Sequence, residues 1–355
     1  MPASGVAGYA AIHARVRILY AHLLTPPQIK VLSEAPGFDT LIEFLEDSPY
    51  GPYLERVEEK DLTPRRAVFQ IKHRLADAYH TVLQLSPAHT QPLLRQYYRH
   101  YEVDNLKAVL RGIVSGATWD QVLFVLFPLG PDSVLPAQAM VETESVASAV
   151  ELLHGTPYFG TLSHAMERYA AEKTLFPLEV ALDLNYWREL WNEVNQLAGE
   201  DRAQSRRILG SLLDMTNLIW AIRYRMYHHL SEEEIINYTL PIGYRVRDDD
   251  IRAIAAGADV LQVVARLYPD LPDLDVLVQE PRKGLPELEV ELQRHVVQQC
   301  RAAFLGYPFH ISIPLAFLIL NEMEIQDLTV LFEAKSSAAP DEGYQPYLIY
   351  GTASK

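Results

Sequence analysis

Residues 104–111 read Asp-Asn-Leu-Lys-Ala-Val-Leu-Arg, and residues 216–223 read Thr-Asn-Leu-Ile-Trp-Ala-Ile-Arg. Asn105 and Asn217 are 112 residues apart, as are Arg111 and Arg223. A third version, Asp327-Leu328-Thr329-Val330-Leu331-Phe332-Glu333, begins 110 residues after Asn217. Self-similarity at so long a period means that one folding unit was copied and kept. It points to stacked helical units and away from a fold organised around one active site.

The copies extend beyond their core. Trp119-Asp120-Gln121-Val122 and Leu126–Gly130 follow the first, and Glu234-Ile235-Ile236 and Leu240–Gly243 follow the second. A closing turn reads Leu152–Tyr158 in one copy and Val264–Pro269 in the next, with Pro157 and Pro269 again 112 apart. The N-terminal stretch reads as a shorter copy, with Arg15 and Arg17 on its opening helix and Phe44–Tyr50 as its closing turn. Three units are expected, at 9–103, 104–214 and 215–335, followed by an irregular tail at 336–355.

Apolar residues recur at helical spacing: Val16, Leu19, Tyr20 and Leu23 form one stripe of an amphipathic helix. The same periodicity predicts long helices over 64–85, 167–198, 285–304 and 315–334. Pro26-Pro27, Pro87, Pro128 and Pro241 mark boundaries, because proline cannot donate to the helical ladder. No alternating run is long enough for a central strand. The expected fold is all-α, with three similar antiparallel helical bundles related by pseudo-threefold symmetry around a central concavity.

The formal net charge of −15 argues against a nucleic-acid binder, which needs clustered Lys and Arg. Cys300 is the single cysteine, so neither an intramolecular disulfide nor a Cys-based zinc site is expected. The N-terminal residues lack the pattern of a signal peptide. The longest apolar stretch, near Ile311–Leu320, is half of the roughly 20 residues that span a bilayer. A soluble chain that attaches to other proteins is expected.

Motifs that carry chemistry are absent: the sequence has no phosphate-binding Gly-x-x-x-x-Gly-Lys-Ser/Thr loop, no Gly-x-Gly-x-x-Gly, no His-Glu-x-x-His and no Gly-x-Ser-x-Gly. No cofactor and no catalytic residue is therefore expected. Ser231 with Glu234 reads as a capping box, and Asp248-Asp249-Asp250 as acids at a helix N-terminus. His228 and His229 face about 100° apart on a helix and would not chelate one ion. Cys300 reads as packing. The best-marked polar residues are Asn105, Arg111, Asn217 and Arg223. They suit a helix seam, the Asn bonding a neighbouring loop and the Arg binding loop carbonyls. They also suit a lining that touches a partner, and with Arg15, Arg17 and Asp327 they form the candidate partner-binding set.

Three blocks resemble a known family. They are Tyr101–Arg111, the turn Ser48-Pro49-Tyr50-Gly51-Pro52-Tyr53-Leu54, and Pro314–Lys335 with Glu322, Glu324, Ile325 and Asp327-Leu328. Their order and spacing resemble the C subunits of the V/A-type rotary ATPases, which are similar to the d subunits of the eukaryotic V-type enzymes. The resemblance spans about residues 9–335. Asp327 stands where the family has Asn, and Glu333 where it has Arg. The resemblance implies a funnel-shaped, non-catalytic adapter of three helical bundles. Its implied partners are the central-stalk shaft subunits of D and F type and the membrane proteolipid ring. It implies torque transmission between ATP turnover and H+ or Na+ transport, from a peripheral position on the cytoplasmic side. No small-molecule substrate is implied. The alternatives are a helical-repeat interaction scaffold, which would not need the Ser48–Gly51 turn, and an enzyme, which would need ionisable residues converging in the cavity.

Overall fold

The computed structural model describes residues 6–58, 62–272 and 276–350. Among these residues every regular element is helical. Seven long helices form the frame: α1 (Val6–Ala21), α2 (Pro64–Leu85), α3 (Gln91–Ser115), α4 (Phe176–Gln196), α5 (Gly199–Met226), α6 (Pro281–Ala303) and α7 (Ser312–Ser336).

Local chemistry sets their ends. Thr63 caps α2 by accepting the Arg66 N–H at 3.3 Å, and Pro64 fills the first turn, where its missing N–H costs nothing. Gly116, at φ 68°, takes the left-handed conformation that ends α3. The short helices Pro26–Ser33, Trp119–Leu123 and Glu232–Asn237 all begin on one device. The side chains of Gln28, Gln121 and Glu234 accept the N–H of Thr25, Thr118 and Ser231 at 2.8, 2.9 and 2.9 Å. Sequence reading found this box at Ser231 and missed it at the other two.

The helix expected over 167–198 is two helices, Phe159–Glu172 and α4. Lys173 ends the first in a left-handed conformation, and Pro177 sits in the first turn of the second. The apolar period runs through this break, which is why periodicity did not show it.

The long helices associate in pairs, α3 with α4, α5 with α6, and α2 with α7. Arg111, near the end of α3, meets Glu179 at the start of α4, so the first pair is antiparallel. Arg223, near the end of α5, meets Glu289 in the first half of α6, so the second is too. Helix α7 is buried on all sides from Ser312 to Asn321, and beyond that only the stripe of Glu322, Gln326, Thr329, Val330 and Glu333 reaches the surface before its last turn. Its partner α2 lies more than 220 residues earlier. The third pair therefore joins the first expected unit to the third.

The tail packs. Asp341–Tyr344 forms a helical turn, and Tyr344, Leu348, Ile349 and Tyr350 are buried. Arg294 binds the Leu348 carbonyl at 2.7 Å and Arg301 the Tyr350 carbonyl at 3.1 Å. An irregular tail was expected because so short an element carries no periodic signal.

Candidate partner-binding site

Asn105, Asn217 and Asp327 are 7, 1 and 0% exposed, and each holds backbone 22 or 23 residues further along. Asn105 accepts the Phe127 N–H at 2.6 Å and donates to the Phe127 carbonyl at 2.8 Å. Asn217 accepts the Leu240 N–H at 2.9 Å and donates to the Leu240 and Ile242 carbonyls at 3.0 Å each. Asp327 accepts two N–H groups, of Ile349 at 2.6 Å and Tyr350 at 2.8 Å. That difference accounts for the acid at 327. Where both partners are donors, a carboxylate fits and an amide would turn a donor toward a donor. Ile349-Tyr350 thus stands where Phe127-Pro128 and Leu240-Pro241 stand in the other copies, a match that sequence reading missed.

Sequence reading also missed a second series one turn earlier. Glu102, Asp214 and Glu324 each stand three residues before these positions and are 4, 0 and 0% exposed. Glu102 accepts the Val134 N–H and the Tyr158 hydroxyl, both at 2.6 Å. Asp214 accepts the Tyr244 and Arg245 N–H groups at 2.7 and 2.6 Å. Glu324 accepts the Leu24 N–H at 2.6 Å and the Tyr50 hydroxyl. The legible signal was an acid at i and Asn or Asp at i+3 in every copy. Such spacing puts both side chains on one helix face.

Burial raises the pKa of Asp214 to about 6, against the opposing pull of the N–H groups of Arg245, Tyr244 and Val246. Burial likewise raises Glu324 to about 7, although the Arg74 guanidinium and the Tyr50 hydroxyl favour its charged form. Arg74 completes this cluster. It bonds the Tyr50 hydroxyl at 3.1 Å, Asn321 at 2.9 Å and the His22 carbonyl at 3.1 Å, and it lies 4.5 Å from the Tyr50 ring centre.

The turns held by these acids need glycine. A Cβ on Gly243 would lie 2.1 Å from the Val246 carbonyl oxygen and 2.8 Å from Asp214. A Cβ on Gly51 would lie 2.1 Å from the Glu46 carbonyl oxygen.

The arginines of the candidate set are more open. Arg111 forms a two-point pair with Glu179 at 2.6 and 3.0 Å, and its side chain is 62% exposed. Arg223 meets Glu289 at 3.1 Å. In the helix-seam reading both would bind loop carbonyls, and both take carboxylates of the partner helix instead; the partner-lining reading is left open. Arg225 takes the carbonyl role, bonding Ile254 and Ala258 at 2.9 and 2.7 Å. Arg15 is exposed on α1, and Arg17 bonds His13 at 2.9 Å and the Phe304 carbonyl at 3.2 Å.

Arg111 also lines a cavity of about 520 Å³ among α2, α3 and α7, with Lys72, Asp104, Lys107, Glu322 and Gln326. Lys107 pairs with Asp183 at 2.6 Å and Asp104 at 3.1 Å. Glu322 accepts the Tyr97 hydroxyl at 2.9 Å and meets His100 at 3.2 Å. Burial opposes charge on His100, and the Glu322 carboxylate together with Asp104 and the Tyr97 carbonyl outweighs it, so the imidazole pKa is raised. The walls thus carry both signs of charge in pairs.

Other sequence candidates have structural partners. Asp250 accepts the Arg247 N–H at 2.8 Å and meets Arg266. Cys300 is fully buried, and that burial pushes its thiol pKa up. Among the described residues no group of three or more His, Cys, Asp or Glu is arranged to hold a metal ion.

The family pattern of the ATP synthase (C/AC39) subunit matches residues 12–345. The chain belongs to that family. It is similar to the C subunit of the A-type ATP synthase of Methanocaldococcus jannaschii, 24% identical over 348 residues that span 97% of this chain and 87% of the relative. The C subunit of the A-type ATP synthase of Methanothermobacter thermautotrophicus is 25% identical, spanning 92% of this chain and 84% of the relative. That of Methanococcoides burtonii is 24% identical, spanning 96% and 94%. The resemblance carried by Tyr101–Arg111, Ser48–Leu54 and Pro314–Lys335 is borne out. The C/AC39 match runs from Ile12 on α1 to Gln345 in the tail, so it includes Leu24 and Tyr50, which Glu324 holds on α7. Among the described residues no helix is long and apolar enough to cross a membrane.

Proposed function

We propose that this chain is a non-catalytic central-stalk adapter of an A/V-type rotary ATPase. In this reading it couples the shaft, formed by D- and F-type subunits, to the membrane proteolipid ring. It passes torque between ATP turnover and ion transport from the cytoplasmic side. The family match over residues 12–345 carries the reading.

The use of buried polar groups supports it. A torque adapter must resist deformation, and six buried polar side chains at repeated positions tie loops to long helices, with a partner for each of their polar atoms. Such networks rigidify a core when every member is satisfied. The repeated helix pairs suit three bundles about a pseudo-threefold axis, with a funnel mouth for the shaft. Arg15, Arg17, Arg111 and Arg223 are the partner contacts in this proposal, since they reach solvent. The net charge of −15 adds electrostatic complementarity to basic loops of the shaft or ring.

The test is binding of the purified chain to the shaft subunits and, separately, to the detergent-solubilised ring. Binding to both, weakened as salt rises from about 0.05 to 0.5 M, is expected. Binding to neither by a folded chain would sink the reading.

A further inference from the structure

In two of the three copies the loops held by the buried pair are continuous chain. Glu102 and Asn105 hold residues between Phe127 and Tyr158, and Asp214 and Asn217 hold residues between Leu240 and Arg245. The third pair is different. Asp327 holds Ile349 and Tyr350, while Glu324, one turn earlier on the same face, holds Leu24 and Tyr50. The Glu324 to Leu24 bond spans 300 positions, where the Glu102 to Val134 bond spans 32. One loop assembly has been divided between two distant segments.

The two segments also touch each other. The Tyr344 hydroxyl donates to the Ser33 carbonyl at 2.8 Å, a buried bond across 311 positions. Gln345 and Leu348 share a cavity of about 480 Å³ with Pro26, Pro27, Ile29 and Lys30. Removal of either segment would bare the other's bonded backbone to water, and would leave carboxylates on α7 without their donors.

We propose that residues 22–50 and 344–350 form a clasp on α7 that opens and closes as one unit, separately from the loops of the other two copies. The loops 116–158 and 227–268 each bring their bonded residues from one stretch of chain, whereas the clasp joins Leu24 and Ile349, which only non-covalent contacts hold together. Contacts of that kind open locally at lower cost than the whole fold. The clasp is therefore the site where this set of helix pairs can part without any covalent change.

Hydrogen exchange on the full chain tests this, comparing the natural sequence with Asp327→Ala and with the milder Tyr344→Phe. Each substitution is expected to speed exchange at least tenfold at Leu24, Tyr50 and Tyr350 together, while Phe127 and Leu240 keep their protection. Asn105→Ala, as the control, should loosen Phe127 alone. Faster exchange at Tyr350 with unchanged protection at Leu24 in both variants would overturn the proposal. So would equal loosening of all three copies. Tyr344→Phe keeps every bond to Glu324 and Asp327, so it remains informative even where Asp327→Ala unfolds the chain.

Discussion

Arg74 and Glu324 lie 3.8 Å apart in the interior, and the Tyr50 hydroxyl bonds both. A buried acid with a cation and a donor at hand is expensive to leave alone. Arg74→Met should destabilise by about 3–5 kcal/mol at pH 8, the range for removing one partner of a buried ion pair. Below pH 6 the loss should shrink, because Glu324 escapes by taking a proton. Urea unfolding at both pH values checks this, and an equal loss at each would contradict it.

Stability should fall as pH rises from about 4.5 to 7. Glu324 and Asp214 hold folded-state pKa values of about 7 and 6, above their ordinary 4.5 and 3.8. In that window the folded chain binds more protons than the unfolded chain. The contribution is full below the ordinary values and is lost as pH passes the raised ones. Arg74, Tyr50 and Asp327 face Glu324, and the N–H groups of residues 244–246 face Asp214. Unfolding midpoints against pH should flatten partly in Glu324→Gln and further in the double variant with Asp214→Asn.

Asn217→Asp and Asp327→Asn should each cost about 1–3 kcal/mol, the range for a buried polar group left with a wrong partner. At 217 a carboxylate would face two carbonyl oxygens. At 327 an amide would face two N–H groups. Both exchanges are isosteric, so a neutral result in thermal melts would mean that the hydrogen-bond assignment is wrong.

Gly243→Ala should destabilise by roughly 1–3 kcal/mol through overpacking against the Val246 carbonyl and Asp214. Gly306→Ala, where a Cβ meets nothing within 4 Å, should be close to neutral. Parallel melts of the two variants provide the comparison.

Cys300 should be inert to iodoacetamide in the folded chain at pH 8 and react fully in urea. It is inaccessible, and burial disfavours the thiolate that reacts. Labelling in the native state at the rate of a free thiol would show that α6 is more open than its packing implies.

The long helices were legible because their apolar period is strong: 64–85 was read to the residue. The internal break at Lys173 was not, because one left-handed residue leaves the period intact. Asn105 and Asn217 were recognisable as repeated residues, and their bonding to loops follows from a polar group in a helix seam. Glu102 and Glu324 were read only within the resembling blocks and Asp214 not at all, because in so acidic a chain one more carboxylate carries no contrast. Their burial is a tertiary fact. The pairing of α2 with α7 was equally hidden, since a repeat read in chain order suggests that each copy closes on itself.

Helix α7 emerges from the ribosome about 250 residues after the end of α2. At ~5–20 residues per second, that is a delay of tens of seconds. Through that interval α2, whose Ile71, Leu75 and Val82 are buried in the finished core, lacks the helix it packs against most extensively. A nascent chain of this kind carries uncovered apolar surface until most of it has been translated. Its yield in a foreign host should therefore depend on the supply of chaperones and on the speed of translation.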